Sequence, residues 1–443
     1  MYNQDHNALS LFPSATCNLK CKYCNIEKNE HLKKIDKLLE ESFSNPEYYF
    51  QQIKKYFPYA YQLKSIDTWG GEPFLHIERI YPLLEKVIPE YPYFTNFFSS
   101  TNFSLPDWPE KVIKLLQFFS QFDTREFVIE LQLSIDGPEY INDENRGMGI
   151  TQKCLKNYQK LIDKLPQNIP SNIYLLLHPK PTLDLKNIKE LSSPEKIYQY
   201  YLFFEENMFK PLCENKNINH EQIRIIPIVP NVASPMPATK IDGEIFTQFL
   251  LNSLEVEKQQ RLKYYTNLLL FAPFSDDWKT PTCHRPLNGC QDGVGRIGLL
   301  PNNLITTCNE GFLYIADNYL QQEKEKTNVI IKSANQGLSK MCLTASEYKD
   351  YQQMRRYYLN SNTTSASANT ASYITLLAMC GQVDKKYLIQ KNATQAANYI
   401  LTQVSFCWKD NVGVCGSRTL VPDGHLKLLL NGALDVILGE IKK

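Results

Sequence analysis

Cys17, Cys21 and Cys24 stand in the stretch SATCNLKCKYC with the spacing C-x3-C-x2-C. Three thiolates so spaced can hold three irons of a [4Fe-4S] cube and leave the fourth iron open to an outside ligand, which a four-cysteine electron carrier cannot do. Two plainer explanations stay open on spacing alone: a zinc knob short of its fourth ligand, or coincidence. The chain has 12 cysteines; Cys154 and Cys213 are isolated, and seven lie between residues 283 and 415. That distribution suggests two separate cysteine-dependent sites, one toward each end. A cysteine that ligates nothing packs as a small buried hydrophobe, and Cys342 is read that way.

Three further clusters could touch a ligand. In Thr68-Trp69-Gly70-Gly71-Glu72-Pro73 two glycines allow close approach of a backbone, and their carbonyls can accept from an ammonium group. By itself the same run is a tight turn. Ser99-Ser100-Thr101-Asn102 supplies a polar patch. Ser134, Asp136 and Arg146 follow in SIDGPEYINDENR, where a guanidinium fork suits a carboxylate. The plainer alternatives are a turn at Asp136-Gly137-Pro138 and a surface cation at Arg146.

The elements that must position these residues alternate. Short apolar or β-branched runs at residues 8–12, 65–69, 94–99, 127–134, 173–177 and 223–229 predict strands. Helical spacing predicts helices over 45–56, 77–88, 108–119, 151–162 and 193–209. Such alternation favours parallel βαβ units, with ligands at the C-terminal strand ends, where each cluster above falls. Pro-rich stretches at 227–237 and 271–286 predict connections. Beyond them come a hairpin over 294–308, helices near 346–359, 370–380 and 394–403, a polar loop at 361–372, and a closing helix over 426–441.

Composition narrows the class. The 443 residues are 43% hydrophobic and 21% charged, ordinary for a soluble globular protein of two or three domains. A net charge of +1 speaks against a broad nucleic-acid surface or a polybasic membrane anchor. No apolar run approaches the roughly 20 residues of a membrane span, and MYNQDHNALS lacks the pattern of a secretory signal. A reducing cytoplasm is the expected compartment, where clustered cysteines serve metal or redox chemistry rather than disulfides.

The run SLFPSATCNLKCKYC resembles the opening of radical S-adenosylmethionine (SAM) enzymes, in particular the branch with sulfatase-maturing enzymes and the SPASM/Twitch peptide maturases. The resemblance implies an α/β fold: a partial (β/α)6 barrel over 1–230, a connecting segment over 231–285, and a C-terminal α+β SPASM/Twitch-like domain over 286–443. It implies that Cys17, Cys21 and Cys24 bind a [4Fe-4S] cluster whose open iron is chelated by SAM, with Tyr23 against the adenine. Gly70, Gly71 and Glu72 match the family's GGEP motif, which receives the SAM amino group. Thr101-Asn102-Phe103 stands where the family often has TNG, and Asn102 reaches the cofactor. Ser134, Asp136 and Arg146 match SIDGP…HDxxR, in which the serine and arginine hold the SAM carboxylate; Asn142 replaces the usual histidine.

In the C-terminal half, Cys283-x6-Cys290-x17-Cys308 resembles the hairpin that opens a SPASM or Twitch domain. It implies one auxiliary iron–sulfur cluster on Cys290, Cys308, Cys407 and Cys415, with Cys380 and Cys283 as competitors. No C-x2-C follows residue 24, a departure from the full SPASM pattern. By resemblance, reductive cleavage of SAM gives a 5′-deoxyadenosyl radical that abstracts hydrogen from a ribosomally made precursor peptide, leading to a crosslink, an epimerisation or backbone excision. A non-ligating cysteine facing the cavity could return the hydrogen atom in an epimerisation. The implied partners are that peptide, a separate leader-peptide recognition protein and an electron donor such as flavodoxin or ferredoxin, with no nucleic acid and no membrane. Two alternatives stand beside it: a radical SAM enzyme acting on a small molecule or a folded protein such as a sulfatase, and a non-enzymatic zinc or iron–sulfur scaffold.

Overall fold

The computed structural model describes residues 7–24, 32–226, 230–233, 249, 252–253, 256, 259–264, 296–300, 305–306 and 342–343. Its strands are β1 (Ala8–Ser14), β2 (Ser65–Gly70), β3 (Asn96–Thr101), β4 (Phe127–Leu133), β5 (Ile173–Pro179), β6 (Thr182–Asp184), β7 (Ile223–Ile225), β8 (Asn231–Ala233), β9 (Arg296–Leu299), β10 (Ile305–Thr306) and β11 (Cys342–Leu343). Its helices are α1 (Leu32–Phe43), α2 (Pro46–Tyr56), α3 (Tyr81–Glu90), α4 (Trp108–Ser120), α5 (Glu139–Arg146), α6 (Ile150–Asn168), α7 (Leu185–Glu190), α8 (Pro194–Phe204) and α9 (Lys210–Cys213).

Period-two burial builds the sheet. In β4, Phe127, Ile129, Leu131 and Leu133 are buried while Val128, Glu130 and Gln132 are half-exposed. Strands β1, β2, β3, β4, β5 and β7 lie side by side in that order, all parallel. This is the α/β sheet expected from strand–helix alternation. On the far side of β1, β9 adds a further parallel strand, followed by antiparallel β10 and β11. Strands β6 and β8 form a separate parallel pair.

One register row runs Leu9, Ile66, Phe97, Ile129, Leu175 and Ile223 across the six strands, and every one is fully buried. Phe97 meets Phe119 of α4 at 5.1 Å between ring centroids, so this row faces the helices. Burying each such side chain contributes about 1.5–3 kcal/mol, so this face anchors the fold. Helix ends are set locally: Asn45 Oδ1 accepts from the Tyr48 N–H with Pro46 in the first turn of α2, and Ser193 caps α8 likewise.

The strand expected at 94–99 runs from Asn96 to Thr101 instead. Phe94 is fully buried just ahead of it, against Phe119 and Phe127, so its apolar side chain serves the turn before the strand and not the strand itself. The helix expected over 193–209 ends as α8 at Phe204 and continues as one wider π turn over Glu205–Phe209. In β9 and β10, Leu299 faces Ile305, an antiparallel pair at the position of the expected hairpin. The expected helices at 346–359, 370–380, 394–403 and 426–441 lie outside the described residues. Among the described residues, no helix is long and apolar enough to cross a membrane.

Candidate functional site

The cysteine loop leaves β1 through an irregularity. Leu11 pairs with Thr68 and Ser14 with Gly70, so β1 carries one extra residue around Phe12-Pro13. Proline has no N–H for the ladder, which makes it a natural place for a bulge. Asp36 of α1 then fixes the loop's root by accepting from the Ala15 N–H at 2.8 Å and the Ser14 hydroxyl at 3.1 Å. Arg79 donates to Asp36 Oδ2 at 3.1 Å and to the Pro13 carbonyl at 3.0 Å.

The end of β2 is laid directly on this loop. The Gly71 N–H donates to the Ser14 carbonyl at 3.0 Å and the Glu72 N–H to the Thr16 carbonyl at 2.8 Å. A Cβ on Gly70 would stand 2.1 Å from the Ser14 oxygen, and one on Gly71 would stand 2.0 Å from the Thr16 oxygen. Gly70 also has φ +122°, a region side chains rarely enter. In this structure, then, the close approach that the two glycines permit is to the chain's own cysteine loop.

Glu72 is 1% exposed and ties β2 to β3. Its carboxylate accepts from the Thr101 hydroxyl at 2.8 Å, the Asn102 N–H at 2.6 Å and the Phe74 N–H at 3.0 Å. Burial pushes this carboxyl up to about 7, against those three donors, which pull it down. Asn102 reaches the triplet: its Nδ2 donates to Asn18 Oδ1 at 2.9 Å and points to Cys17 Sγ at 3.5 Å. Phe103 occupies the TNG glycine position with φ 41°, fully buried and 5.5 Å from Trp108 between ring centroids. The left-handed backbone of that turn is kept without the glycine, held by packing against Trp108.

On the other side of the loop, Asp136 is fully buried and collects four partners. Tyr23 Oη donates to Oδ2 at 2.7 Å, Arg146 Nη2 donates to Oδ1 at 2.8 Å, and the Thr182 N–H donates to Oδ1 at 3.0 Å. The Asp136 N–H in turn donates to Asn142 Oδ1 at 2.8 Å, so Asn142 orders the turn that presents Asp136. The Arg146 guanidinium lies over the Tyr23 ring at 5.7 Å and its Nη1 is 4.0 Å from Cys21 Sγ. Burial opposes its charge, yet Asp136, Tyr23 and Cys21 outweigh burial and hold it protonated. The backbone adds a further tie, with the Lys22 N–H donating to the Asn145 carbonyl at 2.7 Å.

The donor chemistry suits an iron–sulfur cluster. Burial pushes Cys17 up to about 12 and Cys21 up to about 11, and the charges of neighbouring thiols add to both. Three adjacent thiolates therefore need a strongly cationic partner, which a cluster's irons supply. The Leu19 N–H, 3.4 Å from Cys17 Sγ, and Asn102 Nδ2 are the donors that tune a ligating sulfur. Among the described residues, no three His, Cys, Asp or Glu side chains converge as a single-ion site does; a cube takes its sulfur ligands at separate corners. For SAM, the observation is Arg146 Nε, buried and without a hydrogen-bond partner among the described residues, on a side chain suited to a carboxylate.

The structure thus gathers Tyr23, Gly70, Gly71, Glu72, Asn102, Asp136 and Arg146 around Cys17, Cys21 and Cys24. Ser134, whose N–H donates to the Thr101 carbonyl at 2.8 Å, sits at the end of β4 beside them. Asn18 and Cys154 were missed. Asn18 bridges Asn102 and Ser104, and the buried Cys154 thiol donates to the Asn102 carbonyl at 3.3 Å. Asn18's position inside the triplet was the available signal; the sequence marks Cys154 only as an isolated cysteine, with no pattern that links it to Asn102. Cys290, Cys308, Cys407 and Cys415, with Cys283 and Cys380, lie outside the described residues.

Fold and site together define a parallel α/β protein with a half-buried three-cysteine loop at its strand ends. The family described as a 4Fe-4S single cluster domain matches residues 8–157. Among solved structures, Streptococcus suis SuiB bound to S-adenosylmethionine aligns at 16% identity with a TM-score of 0.37, over 68% of this chain and 58% of that one. A mutant of Thermobaculum terrenum O-GlcNAc hydrolase aligns at 10% identity with a TM-score of 0.22, over 100% and 97%. Neither likeness fixes a function. No curated protein matches the chain in sequence.

Proposed function

We propose that this chain is a radical SAM enzyme that modifies a ribosomally made precursor peptide. The observation that carries the enzyme class is the cysteine loop itself, pinned by the Gly70–Glu72 backbone on one side and by Tyr23, Asp136 and Arg146 on the other. The match of residues 8–157 to a 4Fe-4S single cluster domain supports it. When bound, the cluster and SAM supply one-electron cleavage of a carbon–sulfur bond and a 5′-deoxyadenosyl radical.

On this proposal Cys17, Cys21 and Cys24 hold the cluster. Asp136 fixes Arg146 through Nη2, which leaves the orphaned Nε as donor to the SAM carboxylate, with Ser134 beside it. Glu72 and the adjoining backbone receive the SAM amino group, and the bound ammonium holds Glu72 ionised. Tyr23, tethered through its hydroxyl to Asp136, offers its ring to the adenine. Burial of Glu72, Asn102 and Asp136 excludes water from this side of the site.

The peptide substrate rests on the family resemblance of the sequence motifs. With it go one auxiliary cluster on Cys290, Cys308, Cys407 and Cys415, a separate leader-peptide recognition protein, a flavodoxin or ferredoxin as electron donor, and a reducing cytoplasm. The test is anaerobic. Protein reconstituted with iron and sulfide, given SAM and a strong reductant, should form 5′-deoxyadenosine, and Cys21→Ala should form none. Zinc as the sole metal, with no iron–sulfur absorbance after reconstitution, would overturn the proposal.

A further inference from the structure

The sheet face opposite the helices is polar. In register with one another across the six strands stand Ser10, Asp67, Phe98, Glu130, Leu176 and Arg224. One step nearer the C-terminal strand ends, Ser100, Gln132 and His178 form the next row. A face destined for a packed interior carries layers of bulky apolar residues. Here Trp69, Phe98, Glu130 and Gln132 are half-exposed instead. Along β4, Gln132 of this face stands about 7 Å and Glu130 about 13 Å before Ser134.

Two features on it point to an occupant. Trp69 of β2 and Phe98 of β3 pack 5.2 Å apart between ring centroids, and Phe98 stands in register between two carboxylates, Asp67 on β2 and Glu130 on β4. The two carboxylates are two strand spacings apart, roughly 10 Å; Asp67 is buried, so Glu130 is the one open to a cation, which it can share with the half-exposed aromatic face. Asp67 is oriented by the Ser10 hydroxyl, 2.9 Å from Oδ2, and by the Trp69 indole N–H on the same oxygen. Independently, His178 is 8% exposed, its Nε2 lies 3.5 Å from Glu130 Oε2, and that nitrogen has no hydrogen-bond partner among the described residues. A buried imidazole nitrogen left unsatisfied beside a half-open carboxylate is a polar group held for a ligand. Arg224, the cation of the row, is exposed at the far strand β7.

We propose that Asp67, Trp69, Phe98, Glu130 and His178 form the substrate-recognition site and that it takes a cationic side chain of the lysine or arginine type. The proposal deepens the function above and rests on it for placing substrate beneath the strand-end site. Glu130 pairs with the cation, Asp67 holds Trp69 in place and adds its charge from beneath, the aromatic pair covers the alkyl stem and charged head, and His178 bonds a neighbouring polar group of the substrate.

The test uses the full chain and two probes, N-acetyl-lysine amide and its neutral analogue N-acetyl-norleucine amide, with binding read by ligand-observed NMR or calorimetry. The lysine amide should bind about tenfold or more tighter than the norleucine amide. Glu130→Gln, at a half-exposed position, should remove that advantage and leave the norleucine amide unchanged. Asp67→Asn should act in the same direction, with folding checked by thermal unfolding. Equal binding of the two probes, binding of neither, or an unchanged preference in Glu130→Gln would overturn the proposal. Iron content and 5′-deoxyadenosine formation are measured on the same preparations. Their loss with the lysine preference intact sinks the strand-end function; the reverse pattern sinks only the recognition site.

Discussion

Gly71→Ala should do more damage than its single methyl suggests. The new Cβ would stand 2.0 Å from the Thr16 oxygen and 2.3 Å from the Thr16 carbonyl carbon, and neither neighbour is a flexible side-chain tip. Backbone must therefore move by at least about 1 Å to restore ordinary contact. That shift breaks the Glu72 N–H bond to the Thr16 carbonyl at 2.8 Å and strains the Gly71 N–H bond to Ser14 at 3.0 Å. Two hydrogen bonds at about 1 kcal/mol each, plus local repacking, give a loss of about 3 kcal/mol. Because Thr16 precedes Cys17, iron bound after anaerobic reconstitution should fall as well. The assay is urea unfolding of the cluster-free protein together with iron and sulfide analysis. Gly149→Ala is the control: its Cβ meets nothing within 4 Å and only its φ of +74° resists, a cost of about 1–2 kcal/mol with no change in iron content. If Gly71→Ala unfolds at the wild-type urea concentration, the glycines do not seat the cysteine loop, and the account of the site's assembly is wrong.

Other perturbations follow from particular contacts. Glu72, pushed up to about 7 by burial, binds its proton more tightly folded than unfolded, where a glutamate titrates near 4.3. Its contribution to stability is complete below that lower value and is lost as pH rises through about 7. Wild type minus Glu72→Gln, both cluster-free, should therefore decline by about 3 kcal/mol between pH 4.5 and 7.5, read by urea unfolding; a flat difference would show a solvated carboxylate. Phe103→Gly trades relief of a φ of 41° against a fully buried ring. The relief is about 1–2 kcal/mol and the lost packing about 3–5 kcal/mol, so calorimetry should show net destabilisation. A rise in melting temperature would mean that strain, not packing, dominates that turn.

Strands β1, β2, β4 and β5 were legible because each is a short run rich in apolar or β-branched residues, with burial that alternates along β4 and most of β5 and is continuous along β1. α1 is absent from the expectations although Leu32, Ile35, Leu39 and Phe43 carry a plain helical stripe; the charged residues between them masked it. α5 had no apolar stripe to find, since its buried residues are Ile141 together with Asn142, Asp143, Asn145 and Arg146. Such a helix is held by polar contacts, and hydrophobic periodicity is silent about those. In the site, residue types at the strand ends were readable, but partnerships were not. Tyr23 and Asp136 lie 113 residues apart, and no local pattern links them. Glu72 and Asn102 were each assigned to a cofactor, whereas here their first partners are one another. The π turn likewise answers to distant chain: the Glu205 carboxylate accepts from the Lys263 and Tyr264 N–H groups.

Strand β1 is flanked on both edges, by β2 and by β9, with Ala8 facing Arg296 and Ser10 facing Gly298. Tyr49 Oη reinforces that union by donating to the Leu299 carbonyl at 2.7 Å. On the ribosome, the segment that carries the cysteines is finished long before its second neighbour is synthesised. Through that interval a flat row of unpaired amides stays open to any passing strand, an invitation to self-association. Shortened versions ending before Arg296 would keep that edge bare permanently, and would be expected to collect in inclusion bodies.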